Sequence, residues 1–149
     1  EQEGYQVILF RRTGPEILRD RSKIGHNGLL HDTASGKAIL ATMDERRIAT
    51  LLDRHGLAKT TENTINDREE LFEELATIRE RGFAVSIEEA AIGYNGIATA
   101  VQYNTGDLLG ALGIAGPSHR LTEPKMKEEL ADLLTEKAKE LEIEIHYKR

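Results

Sequence analysis

Between Ile97 and Ala115 the chain can fold into little other than a β-hairpin. Two runs of strand-forming and small residues, Ile97 to Tyr103 and Asp107 to Ala115, flank the turn-forming Asn104-Thr105-Gly106. With Thr105-Gly106 as the tight turn, Asn104 faces Asp107 and the ladder follows by counting. Gly96 then opposes Ala115, Ala98 opposes Gly113, and Ala100 opposes Ala111 on one face. Ile97 meets Ile114, Thr99 meets Leu112 and Tyr103 meets Leu108 on the other. A slip of one residue would mix the two sets, so their segregation argues for this register. One face is bulky and the other almost bare. Interiors are close-packed, so something must fill the bare face. Either a helix of small residues lies against it, as the segment with Ala34, Gly36, Ala38 and Ala41 allows, or the space holds a ligand.

The rest of the chain reads as strands and helices around that hairpin. Tyr5 to Arg12 is a β-favouring run, Gly14-Pro15 a turn signal, and Glu16 to Lys23 a returning strand. Arg19, Arg21 and Lys23 alternate along it as a solvated face. Gly25 and Gly28 mark a flexible crossing before a helix that Thr33 caps. Asp44 caps a second helix with Ile48, Leu51, Leu52 and His55 on one face, and Gly56 stops it. After a polar linker, Lys59 to Asn66, Asp67 and Glu70 form an acidic variant of the capping box. The stripe Leu71, Phe72, Leu75 and Ile78 follows and ends at Gly82. A last helix starts near Thr122, tolerates Pro124 in its first turn, and turns Met126, Leu130, Leu133, Leu134, Ala138, Leu141 and Ile145 inward.

Few residues carry catalytic chemistry. Cysteine is absent, which removes disulfides, thiolate metal sites and a cysteine nucleophile, and fits a reducing cytoplasm. His26, His31, His55, His119 and His146 show no metal-ligand spacing, so no metal and no cofactor is expected. Ser35-Gly36-Lys37 falls short of a phosphate loop, because His31 and Ala38 stand where that motif needs Gly and Ser or Thr. No G-x-S-x-G elbow surrounds Ser35. Glu88 and Glu89 are adjacent on a strand, point to opposite faces, and read as a solvated acidic edge. His31 reads as a buried, hydrogen-bonded histidine. The net charge of −6 argues against a grip on nucleic acid by this chain alone. No apolar run approaches a membrane span. The 149 residues suit one domain, 1–149, and Glu1 in place of Met reads as the start of a piece of a longer protein.

Three segments in order carry a resemblance. They are HDTASGKAILATM (His31 to Met43), RERGFAVSIEEAAIGYNGIATAV (Arg79 to Val101) and LGALGIAGPSHRLT (Leu109 to Thr122). From about Tyr5 to Leu141 the chain resembles the effector-binding domain of the IclR family of transcriptional regulators. The resemblance implies an α+β, GAF-like fold, with a central, largely antiparallel sheet flanked by helices. It implies a non-enzymatic domain that senses a small molecule and forms homodimers or tetramers. DNA contact would belong to an amino-terminal winged helix-turn-helix domain outside this chain, and the opening helix and first strand usual in the family would also lie ahead of Glu1. An enzyme using the same cavity, or a purely structural dimerisation module, are the alternatives.

The resemblance also places the effector between the hairpin and the signature helix. The expected lining is Leu29, Leu30, Ala34, Ser35, Ser86, Gly96, Ala98, Gly113 and Ala115. Backbone groups that hold small oxoacids in some members fall on Ala34 and Ser35. A common acidic residue falls on Ser86, a cysteine on Gly96, two serines on Gly113 and Ala115, and a proline on Ala100. The frame is kept while polar side chains are lost. The expected effector is therefore apolar or aromatic rather than a small carboxylate.

Overall fold

The computed structural model describes residues 1–14 and 23–148. Most of the expected returning strand, Glu16 to Lys23, therefore lies outside the described residues, with Arg19 and Arg21. Short strands β1 (Gln6–Val7) and β2 (Asn27–Gly28) pair antiparallel, Gln6 opposite Gly28. The expected strand Tyr5 to Arg12 is thus regular only at Gln6–Val7. Gly28 is paired rather than part of a free crossing, and Gly25 and His26 add bonds to Ile8. Leu9 and Phe10 are exposed beyond β1.

Three helices follow, each started by its expected cap. Helix α1 (Ala34–Ala41) begins at Thr33, whose hydroxyl accepts from the Gly36 N–H. Helix α2 (Glu45–His55) begins at Asp44 and ends at Gly56, with φ 69°. Helix α3 (Arg68–Arg81) begins at Asp67, and Gly82 takes the left-handed conformation at its end. Arg79 reaches back to the Ala41 and Met43 carbonyls at 2.8 and 3.2 Å, satisfying acceptors at the end of α1.

Strands β3 (Ala84–Ile87), β4 (Tyr94–Gln102) and β5 (Leu108–Pro117) form an antiparallel sheet in that order. Helix α1 lies on one face, with α3 beside it. Helix α4 (Ala131–Tyr147) covers the other. Two apolar clusters result. One joins Leu30, Ala34, Ala38, Leu40, Leu71, Leu75 and Ala98; the other joins Val85, Ile97, Leu121, Met126, Ala131 and Leu134. This is the expected α+β plan of helices on an antiparallel sheet.

The hairpin register holds from Ala100↔Ala111 outward, including Gly96↔Ala115, Ala98↔Gly113, Thr99↔Leu112 and Ile97↔Ile114. Its tip differs. Tyr103 pairs with Asp107, donating its N–H at 2.8 Å, so three residues and not two form the turn, with Gly106 left-handed at φ 86°. A bulge then leaves Leu109 as an extra residue, because Val101 faces Gly110 while Gln102 faces Leu108. Asn104 therefore does not oppose Asp107, and Leu108 does not oppose Tyr103 on the bulky face. It packs with the α1 cluster instead. The Gln102 N–H donates at 2.7 Å to Glu142 on α4.

The last helix is also altered. Lys125–Leu130 is a π-helical turn closed by an Ala131 N–H bond to the Met126 carbonyl, and regular α-helix follows. The wide turn shifts the phase of everything after it by one residue. Met126, Ala131, Leu134 and Ala138 face the core, whereas Leu133 and Leu141, expected inside, are exposed.

Candidate functional site

The signature helix is anchored by its lysine. Lys37 is 1% exposed, and its ammonium donates to both Glu89 oxygens at 3.1 and 2.9 Å, to the Val85 carbonyl at 2.7 Å and to Glu74 at 3.2 Å. Glu89 is therefore buried and paired, not part of a solvated edge. Burial pushes its carboxyl above the ordinary range, and the Lys37 charge opposes that rise. Glu88 is half-buried with φ 53°, and its carboxylate accepts from the Gly93 N–H at 2.6 Å. With Lys37 so engaged, the phosphate-loop reading has no cation to offer.

The segment read as a polar linker is stitched down. His31 is buried, with Nε2 2.8 Å from the Ala58 carbonyl. Thr60 donates to Asp32 at 2.8 Å, Thr61 to the Glu88 carbonyl at 2.6 Å, and Thr64 to the Glu89 carbonyl at 2.6 Å. Burial raises the Asp32 carboxyl, an effect the Thr60 hydroxyl bond opposes. These threonines escaped sequence reasoning because no spacing rule connects residues 60–64 with 31–32 and 88–89. Among the described residues no group of three or more His, Cys, Asp or Glu is placed to hold a metal.

The small-residue face of the hairpin points at α1, and the structure divides it. On β4, Gly96 and Ala98 are buried under the helix. A Cβ added at Gly96 would lie 3.5 Å from the Ala34 Cβ and 3.8 Å from that of Ala115. Over this half the helix makes the close contact. On β5, Gly113 and Ala115 are exposed. Ser86 is buried and donates to the Asp32 carbonyl at 3.2 Å, while Leu30 is buried and Leu29 half-buried ahead of α1. The predicted residues thus gather around the start of α1 and its junction with β4, with the β5 pair at the open side. Gly113 has a structural reason as well, since a Cβ there would come within 3.2 Å of both the Ala98 Cβ and the Ile97 carbonyl.

One residue of this cluster was missed by sequence reasoning. The Gln6 side chain crosses from β1, and its Oε1 accepts from Ser35 Oγ at 2.7 Å and Thr33 Oγ1 at 3.1 Å. It fits because its partner across β1–β2 is Gly28, where a Cβ would meet Gln6 Nε2 at 2.7 Å. That Gly28 is the signal in the sequence, legible only once the pairing is known.

Residues 2–143 match the family described as bacterial transcriptional regulator IclR C-terminal. The chain is 29% identical over 148 residues to the probable HTH-type transcriptional regulator ArcR of Halobacterium salinarum, covering 97% of this chain and 56% of that protein. It is 32% identical over 119 residues to the HTH-type transcriptional repressor AllR of Escherichia coli, covering 80% of this chain and 44% of that protein. The chain spans about half the length of the curated relatives it matches. Among solved structures, Thermotoga maritima IclR superposes with a TM-score of 0.90 at 33% identity, covering 97% of this chain and 58% of that one. An Acinetobacter PobR inducer-binding domain, a double mutant in complex with 3-hydroxybenzoic acid, gives 0.87 at 25% identity, covering 95% and 83%.

Proposed function

We propose a sensory role from the premise that this chain belongs to the IclR family of transcriptional regulators, whose C-terminal effector-binding domain it represents. The domain binds an apolar or aromatic small molecule, with one polar end, between the start of α1 and the side-chain-poor face of β4–β5. It acts by binding and not by turnover. Binding favours one arrangement of the whole regulator, a homodimer or tetramer in the cytoplasm, and so biases how a separate winged helix-turn-helix domain meets DNA. A coupling of about 1–3 kcal/mol changes affinity roughly 5- to 150-fold, enough for a switch.

The observation that carries this reading is the chemistry of the gathered residues. Leu29, Gly113 and Ala115 offer apolar surface beside the buried Leu30, Ala34 and Gly96, with no carboxylate among the six, and Ser35 is their half-exposed hydroxyl. The inducer-binding relative in complex with 3-hydroxybenzoic acid supports an aromatic acid as the class of effector. No helix among the described residues is long and apolar enough to cross a membrane.

A thermal-melt panel of benzoate, 3-hydroxybenzoate, glyoxylate and pyruvate tests the proposal. At about 100 times its dissociation constant a ligand adds roughly 2.7 kcal/mol, and a domain of this size then melts about 5–10 °C higher. An aromatic acid is expected to give this shift, and Ala115→Phe, at an exposed position, to abolish it while the unliganded protein still folds. Gly113→Phe is the poorer block, because its Cβ already crowds Ala98 and strains the sheet. A strong response to glyoxylate or pyruvate alone would show that the lost polar groups were misread.

A further inference from the structure

We propose that Gln6, held by Thr33 and Ser35, is the specificity-determining donor of this site, and that its side-chain N–H groups select the acceptor end of the effector. This rests on the function proposed above and names how that site tells one ligand end from another.

The argument is an inventory of hydrogen-bonding capacity. Thr33 Oγ1 accepts the Gly36 N–H at 3.0 Å and donates its own proton to Gln6 Oε1 at 3.1 Å. The oxygen end of the carboxamide therefore faces the hydroxyl. Ser35 donates to the same oxygen at 2.7 Å, and the two bonds use both of its lone pairs. The remaining capacity of the side chain is the NH2 group, which donates twice and accepts nothing. No described residue accepts from it. Gln6 is half-buried, within reach of solvent and of a ligand beside Ser35.

Two features make this an arranged donor rather than a surface glutamine. Its carboxamide is oriented by residues on either side of the start of α1, so little conformational entropy is left to lose on binding. It also lies over Gly28, the one residue type in β2 that leaves room for it. A carboxylate, carbonyl or phenolate oxygen is the complementary group; an ammonium is not. The donor restores part of the polar function missing at Ser86, Gly96, Gly113 and Ala115, from a strand that contributes none of the expected lining.

Calorimetric titration with benzoate and benzylamine tests the assignment on the parent protein, Gln6→Glu and Gln6→Leu. Glutamate keeps the oxygen that Thr33 and Ser35 hold but replaces the donor with a second acceptor. Gln6→Glu is expected to weaken benzoate by about tenfold or more, the usual effect of losing a hydrogen bond to a charged group, and to tighten benzylamine relative to the parent. Gln6→Leu is expected to weaken benzoate without that gain. In 15N spectra of the parent, the side-chain amide pair absent from Gln6→Leu should move on benzoate addition. Benzoate binding by Gln6→Glu within about twofold of the parent would overturn the inference while leaving the proposed function standing. Equal loss of both probes would make Gln6 a purely structural clamp, which also overturns it. A parent protein that binds no aromatic acid would defeat the proposed function itself, and this inference with it.

Discussion

Lys37→Met is expected to lower stability by about 3–5 kcal/mol at neutral pH, and the melting temperature by roughly 6–20 °C. Methionine fills nearly the same space, so the loss is electrostatic. The substitution strips the Lys37 cation from both Glu89 oxygens and removes the donor to Val85. A buried carboxylate left without a cation must protonate or drag water into the core. The loss should depend on pH. In the parent the Glu89 carboxyl already titrates above its ordinary 4.5, so the fold binds more protons than the unfolded chain in the window above that value. Stability from this group is thus present at low pH and falls as pH rises through the window. Without Lys37 the larger opposition to the rise is gone and the Ile87 N–H bond at 3.2 Å is left, so the window widens upward, and the deficit should be largest near neutrality and shrink on acidification. Glu89→Gln added to Lys37→Met should recover much of the loss, measured as coupling in a double-mutant cycle. A deficit below about 1 kcal/mol, or one flat with pH, would mean that the ion pair is not what anchors α1.

Gly36→Ala offers a second large effect whose sign alone is diagnostic. On an open helix face alanine would stabilise by about 1 kcal/mol over glycine. Here the new methyl would overlap the Leu30 carbonyl oxygen, and the Leu30 Cα would lie 2.5 Å away. Backbone cannot swing aside as a flexible side chain does. A net destabilisation of about 3 kcal/mol or more is expected, at the upper end for overpacking, read from urea unfolding at matched slopes. Because Leu29 and Leu30 are pushed off α1, aromatic-acid binding should weaken in the same variant. A stabilised Gly36→Ala would mean that the helix and the preceding segment do not cross so closely.

Those two residues sit in one motif, and they show what the sequence could and could not disclose. The pattern from His31 to Ala38 is recognisable as a unit, yet its glycine and lysine bind residues 30, 74, 85 and 89. Their reasons are tertiary. Local rules did well where the physics is local: Thr33, Asp44 and Asp67 cap as expected, and Gly56 and Gly82 end their helices. The hairpin is more instructive. Counting from a two-residue turn gave the right partners for Gly96, Ala98 and Ala100, although the turn has three residues. The bulge at Leu109 cancels the extra one. Sorting of large and small side chains, which depends on the whole face, outweighed an error at the tip. The errors stay at the tip, where Asp107 faces Tyr103 and Leu108 faces Gln102.

The candidate site was legible as a set of positions and not as chemistry. Small residues at 96, 98, 113 and 115 imply a vacancy, but which part a helix fills depends on how α1 lies across β4. The acidic pair misled because alternation along a strand assumes that the strand continues. It ends at Ile87, Glu88 turns through a left-handed conformation, and Glu89 is carried inward to Lys37. Gln6 lay outside any motif. Its partners are some thirty residues away, and only the two-residue sheet brings them within reach.

The wide turn before α4 has a consequence for chain length. Helices ordinarily cannot lose a residue, since everything downstream then rotates about 100° around the axis. Here Met126 and Ala131 face the core five residues apart because the turn between them is π-helical. In a plain α-helix two residues four apart occupy nearly the same side. Removing one of the exposed residues 127–129 would therefore turn the π-turn into ordinary helix and leave Leu134 and Ala138 where they are. The segment is a built-in splice point, where a gene could drop a codon without disturbing the packing on either side.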